Sequence, residues 1–141
     1  MTQSLQLLNF DNAVRYFIEK YCKKTQKSAV TSFRYLNNKR YAFVTFNQTK
    51  LCLVLFRRDF FHKFGDIFQN EGESGLGETI NTDILKLAIA RGVTKAYYVY
   101  EKGMIYSIDI KDIPLKGHKR ETFAEGKPVY SFSIKHLERF E

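Results

Sequence analysis

The chain has no tryptophan, two prolines, two cysteines and, between residues 20 and 63, a single acid, Asp59. Each scarcity excludes something. Two prolines and eight glycines in 141 residues are too few for a collagen-like or Pro/Gly-rich disordered chain. Two cysteines cannot make a disulfide scaffold, and neither Cys22 nor Cys52 has a ligand neighbour at zinc-site spacing. Free buried thiols in a reducing, cytoplasmic compartment are therefore expected. His62, His118 and His136 share no motif, so neither a metal nor any other cofactor is expected. No apolar run approaches the roughly 18–20 residues a membrane helix needs. A basic amphipathic helix with a wide apolar face is also missing, so no membrane partner is expected. The N-terminal stretch lacks a basic region followed by a long apolar one, so no secretory signal is expected.

What is present is positive charge in one place. Residues 20–63 hold eleven Lys or Arg against that one acid, while the rest of the chain holds twelve basic and fourteen acidic residues. The whole formal charge of +8 thus comes from one block. Like charges so concentrated repel on folding, which points to an anionic partner. Nucleic acid is the first candidate, DNA ahead of RNA.

The length fits one domain with a real core. Residues 11–24 place Val14, Phe17, Ile18, Tyr21 and Cys22 on one helical stripe, with Asp11 as N-cap and Lys23 and Lys24 at the favourable end of the dipole. Strands are expected at 28–36, 39–47 and 50–57, with Asn37-Asn38 as a tight turn. The unbroken apolar run Leu51–Phe56 predicts a central strand covered on both faces. Residues 59–70 read as a short helix or an aromatic loop, and 71–78 as a flexible connection. A second helix is expected over 81–91, capped by Asn81 or Thr82 and stopped at Gly92. Residues 94–100 and 104–110 form a hairpin about Glu101-Lys102-Gly103. Segment 111–128 reads as loop, and a last strand as 128–134. The order α-β-β-β-α-β-β-β is α+β, a mostly antiparallel sheet flanked by two main helices.

Lys39–Phe46, KRYAFVTF, resembles the strand signature of the RNA recognition motif, with Arg40 where that pattern has glycine. The resemblance implies base stacking by Tyr41 and Phe43. The order α-β-β-β-α-β resembles the PD-(D/E)XK nucleases, which include the archaeal Holliday junction resolvases. The likeness is carried by the helix ending at Gly92, the strand TKAYYVY and the strand GMIYSIDI followed by KDI. It implies an Asp opening the second strand and a Glu-x-Lys pair on the third, holding a metal that activates water. Here the aspartate position falls at Asn38-Lys39, the glutamate on Leu55 and the lysine on Arg57. The resemblance thus implies a nuclease-like scaffold in which only the basic member of that set is kept.

Gly72–Thr79, GESGLGET, mimics a phosphate loop, but Glu78 stands where the lysine belongs, and a carboxylate repels phosphate. Glu71, Glu73, Glu78 and Asp66 form a further carboxylate-rich stretch. Arg57–Phe64 interleaves basic and aromatic residues, a pattern that suits phosphates and stacked bases. The expected contacts are Lys39, Arg40, Arg57, Arg58 and Lys63 to phosphate, with Tyr41 and Phe43 stacking if they face outward. Three functions remain open on the sequence. The first is a nucleic-acid-binding protein on a nuclease-like scaffold without a catalytic centre. The second is a metal-dependent nuclease with acids in unusual positions. The third is a protein-interaction module, for which a homodimer is compatible.

Overall fold

A computed structural model describes residues 9–25, 30–36, 41–46, 50–57, 62–63, 76–113, 119–123 and 127–141. The expected 59–70 element lies outside the described residues, except for His62 and Lys63. The class is α+β, as the sequence predicts. Helix α1 spans Phe10–Thr25 and α2 spans Thr82–Ala90. The strands are β1 (Val30–Leu36), β2 (Tyr41–Phe46), β3 (Lys50–Arg57), β4 (His62–Lys63), β5 (Leu76–Asn81), β6 (Lys95–Tyr100), β7 (Ile105–Asp109), β8 (Lys119–Phe123), β9 (Lys127–Ser133) and β10 (Glu138–Arg139). They form a six-stranded sheet, β1-β2-β3-β6-β7-β10, and a four-stranded sheet, β4-β5-β9-β8.

In the large sheet every neighbouring pair is antiparallel except β3 and β6, which run parallel with Leu53 opposite Ala96. A parallel pair needs a crossover connection, and α2 lies within it. Alternation along the strands sorts side chains onto two faces. Ala42, Val44, Phe46, Cys52, Val54, Tyr97 and Val99 meet the buried stripe of α1. Tyr41, Phe43, Leu53, Leu55, Tyr98 and Tyr100 meet α2 and the small sheet through Ile80, Ile84, Leu85, Ala88 and Phe132. Cys52, Leu53, Val54 and Leu55 are fully buried, so β3 is covered on both faces, as its unbroken apolar run predicts.

Local chemistry sets the element ends. The α1 cap is Asn9, two residues ahead of the expected Asp11: the Asn12 N–H donates to its Oδ1 at 2.9 Å. Asp11 lies inside the first turn, where its charge suits the dipole. Asn81 caps α2, accepting from the Ile84 N–H at 3.0 Å. Gly92, at φ +79°, takes the left-handed conformation that stops the helix. The hairpin about residues 101–103 is present, with Gly103 at φ +93°. Two expected loops hold strands. β5 begins within the 71–78 connection, and β8 lies within 111–128. The strand expected at 128–134 is β9, one residue earlier at each end, and the short β10 follows it where no further strand is expected.

Both cysteines are free thiols, Cys52 buried and Cys22 half-buried. Among the described residues, no helix is long and apolar enough to cross a membrane.

Candidate functional site

Arg57 ends β3 on the same face as Leu53 and Leu55, so its side chain enters the space between the two sheets. Its Nε donates to Glu78 Oε1 at 2.8 Å, and its Nη2 donates to the Thr79 carbonyl at 2.7 Å. The Arg57 side chain is 16% exposed and that of Glu78 is fully buried. Two tyrosines of β6 close the cluster. Tyr100 Oη donates to Glu78 Oε2 at 2.7 Å. Tyr98 Oη donates to the Thr79 carbonyl at 3.0 Å, with its ring beneath the guanidinium. From β2, Tyr41 Oη accepts the Asn81 N–H at 2.8 Å.

These contacts have one cause. β5 pairs with β9 along one edge, but β4 covers its other edge only at Leu76 and Gly77. The Thr79 and Asn81 backbone groups on that edge are buried and must find partners. The Thr79 N–H takes Glu78 Oε1 at 3.0 Å. The Thr79 carbonyl takes Arg57 and Tyr98, and the Asn81 N–H takes Tyr41. Side chains from three strands of the large sheet thus stand in for a missing strand.

Electrostatics follow the geometry. Burial opposes the Arg57 charge, but the Glu78 carboxylate, with Tyr41 and Tyr98, outweighs it, so the guanidinium proton is held more firmly than usual. Burial and then Glu78 push the Tyr98 and Tyr100 hydroxyls well above the ordinary tyrosine range. The guanidinium therefore stays charged, and the Tyr98 and Tyr100 hydroxyls stay protonated near neutral pH, so none of these three is poised to exchange a proton there.

The expected contact residues divide accordingly. Arg57 turns inward and is engaged by Glu78, because an arginine at the end of a two-sided buried strand requires a partner there. Tyr41 and Phe43 are 5% and 4% exposed. The condition for stacking on bases, rings facing outward, is not met, since α2 and the small sheet cover that face. Arg91 lies over the Phe43 ring, 5.7 Å from its centre. Lys39, Arg40 and Arg58 lie outside the described residues, and Lys63 is described only as part of β4. Glu78, read in the sequence as a misplaced phosphate-loop residue, is the buried anion of the cluster. Asp66, Glu71 and Glu73 lie outside the described residues. Among the described residues no group of three His, Cys, Asp or Glu could hold a metal.

Elsewhere the block's charges are partly met. Lys20 pairs with Glu141 at 3.7 Å, and Lys24 donates to the Phe140 carbonyl and lies over its ring. The outer face of α1 carries Asp11, Arg15, Glu19 and Lys23, all exposed. Signs alternate at four-residue spacing, which suits a solvated face. No family model matches the chain, and neither does any curated protein or solved structure.

Proposed function

We propose that the chain is a nucleic-acid-binding protein on a nuclease-like α+β scaffold that has no catalytic centre. The observation that carries this reading is the fate of Arg57. It holds the lysine position of the nuclease resemblance, and Leu55 holds the glutamate position. The guanidinium is committed to Glu78 and Thr79, and Leu55 is core. A metal-and-lysine mechanism has no residues to work with there. The carboxylate beside Arg57, that of Glu78, accepts from Arg57, Tyr100 and the Thr79 N–H, so it too is committed. The basic surplus of residues 20–63 still calls for an anionic partner, and Lys39, Arg40, Arg58 and Lys63 are the proposed phosphate contacts.

The test is fluorescence anisotropy with labelled duplex DNA, single-stranded DNA and RNA across a salt series. Binding should weaken steeply as salt rises. No change in anisotropy with any probe at low salt would remove the proposal. Incubation of the same substrates with magnesium or manganese should leave them intact, whereas metal-dependent cleavage would restore the nuclease reading.

A further inference from the structure

We propose that a groove beside Ile89 binds a small anionic amphiphile, its aliphatic body on Ile89, Val93, Ile110 and Ile113 and its carboxylate at Lys111. This inference is independent of nucleic-acid binding. The groove forms where the end of α2, the turn into β6 and the 3-10 turn after β7 meet, and its volume is about 510 Å³. Small-molecule sites run from roughly 300 to 1,000 Å³. Val93, Ile110 and Ile113 form a buried apolar floor. Ile89, at the rim, is 51% exposed and is the exposed large apolar side chain among the described residues. An exposed isoleucine alone means little. One that completes the wall of a concave apolar surface is a different observation.

Charge selects the occupant. Among the described residues two ionisable ones line the groove, Asp109 and Lys111. Asp109 lies 3.6 Å from Lys95 Nζ, across the β6–β7 ladder. Lys111 is exposed, and among the described residues its side chain has neither an ion pair nor a hydrogen bond. The unmatched charge in the lining is therefore positive. A cationic ligand would meet Lys111 head-on, and a neutral one would leave it unused. An anionic head with an aliphatic body satisfies both halves, since a charge-assisted hydrogen bond is about twice as strong as a neutral one.

Calorimetric titration of the full chain with decanoate, below its micelle concentration and at low salt, tests this. Saturable 1:1 binding is expected. Lys111→Glu and Ile89→Asp should each raise Kd at least about tenfold, with melting temperatures recorded for both exposed-site variants. Lys23→Glu, on the outer face of α1, should leave Kd within about twofold. Decyltrimethylammonium should bind Lys111→Glu more tightly than the parent. Absence of saturable binding would overturn the proposal. So would equal weakening by Lys23→Glu, which would mean bulk charge alone. A dimer that Ile89→Asp dissolves would also overturn it, because a second copy would then cover the groove.

Discussion

Arg57 Nε and Glu78 Oε1 lie 2.8 Å apart, on strands of different sheets, with the carboxylate fully buried. Removing one partner of such a pair strands the other charge in a poor solvent. Glu78→Ala should destabilise the fold by about 3–5 kcal/mol, read from urea denaturation. Arg57→Met with Glu78→Leu should recover only part of that loss. The Thr79 N–H loses its acceptor in the double variant. Full recovery would mean that the backbone edge of β5 does not need these groups.

The two tyrosines of β6 should differ. Tyr100→Phe removes a donor from a buried carboxylate and should cost about 1.5–3 kcal/mol. Tyr98→Phe leaves the Thr79 carbonyl still bonded to Arg57, so about 0.5–1.5 kcal/mol is expected. Parallel urea titrations rank them, and the reverse order would contradict the assignment of Glu78 Oε2 to Tyr100.

This cluster marks the limit of what the sequence discloses. α1, α2, the β2–β3 hairpin and the β6–β7 hairpin are readable because their apolar spacing is local. β5 is not. Its residues, LGETIN, carry little apolar alternation, and they become a strand by pairing with β9, some fifty residues on, while Tyr41, Arg57 and Tyr98 satisfy the other edge. One local signal for Arg57 does exist. It shares parity with Leu51, Leu53 and Leu55, so on a strand buried on both faces it must point inward. Basicity alone suggests a phosphate contact, and parity overrules it. The groove at Ile89 leaves no trace in the sequence, since its walls come from α2, a turn and the end of β7.

Stability should fall in alkali. Burial pushes the Cys52 thiol up to about 11 from 9.0, against the lowering effect of Lys50, the Tyr21 hydrogen bond and Lys95. Burial and then Cys52 push Tyr21 up to about 12 from 10.0. Between about pH 9 and pH 11 the unfolded chain has released the Cys52 proton and the folded chain still holds it. The unfolded state then binds fewer protons, so unfolding free energy decreases as pH rises. The contribution is fully present below about pH 9, and Tyr21 extends the loss toward pH 12. Cys52→Ala should flatten the slope between pH 9 and 11, whatever it does to stability at pH 7. An unchanged slope would reject Cys52 as its source.

At the start of α2, two neighbouring residues should respond with opposite signs. Asn81→Ala loses the cap on the Ile84 N–H and should cost about 1 kcal/mol. Thr82 Oγ1 is the buried side-chain polar atom without a hydrogen-bond partner among the described residues. Thr82→Val keeps the shape, removes the unsatisfied hydroxyl and should leave melting temperature equal or higher. A marked fall would mean that the hydroxyl has a role its surroundings do not reveal.

If nucleic acid is the partner, salt titration should separate buried from available charge. Each phosphate contact contributes about −0.9 to the slope of log K against log salt on duplex DNA. Lys39→Gln and Arg40→Gln should each reduce the slope by about that amount. Arg57→Met combined with Glu78→Leu should leave the slope unchanged while the protein stays folded. A reduced slope in that double variant would place Arg57 at the interface after all.

The parallel seam between β3 and β6 bears on how the chain reaches its fold. The β1–β2–β3 meander and the β6–β7 hairpin each close over short distances, but Leu53 must find Ala96 across a loop whose closure entropy precedes any reward. Two preassembled halves meeting along one late seam would expose the apolar flanks of β3 and β6 in the interim. A chain that closed this seam last would carry unpaired backbone edges on β3 and β6 until Leu53 met Ala96, and unpaired edges are where strands mispair.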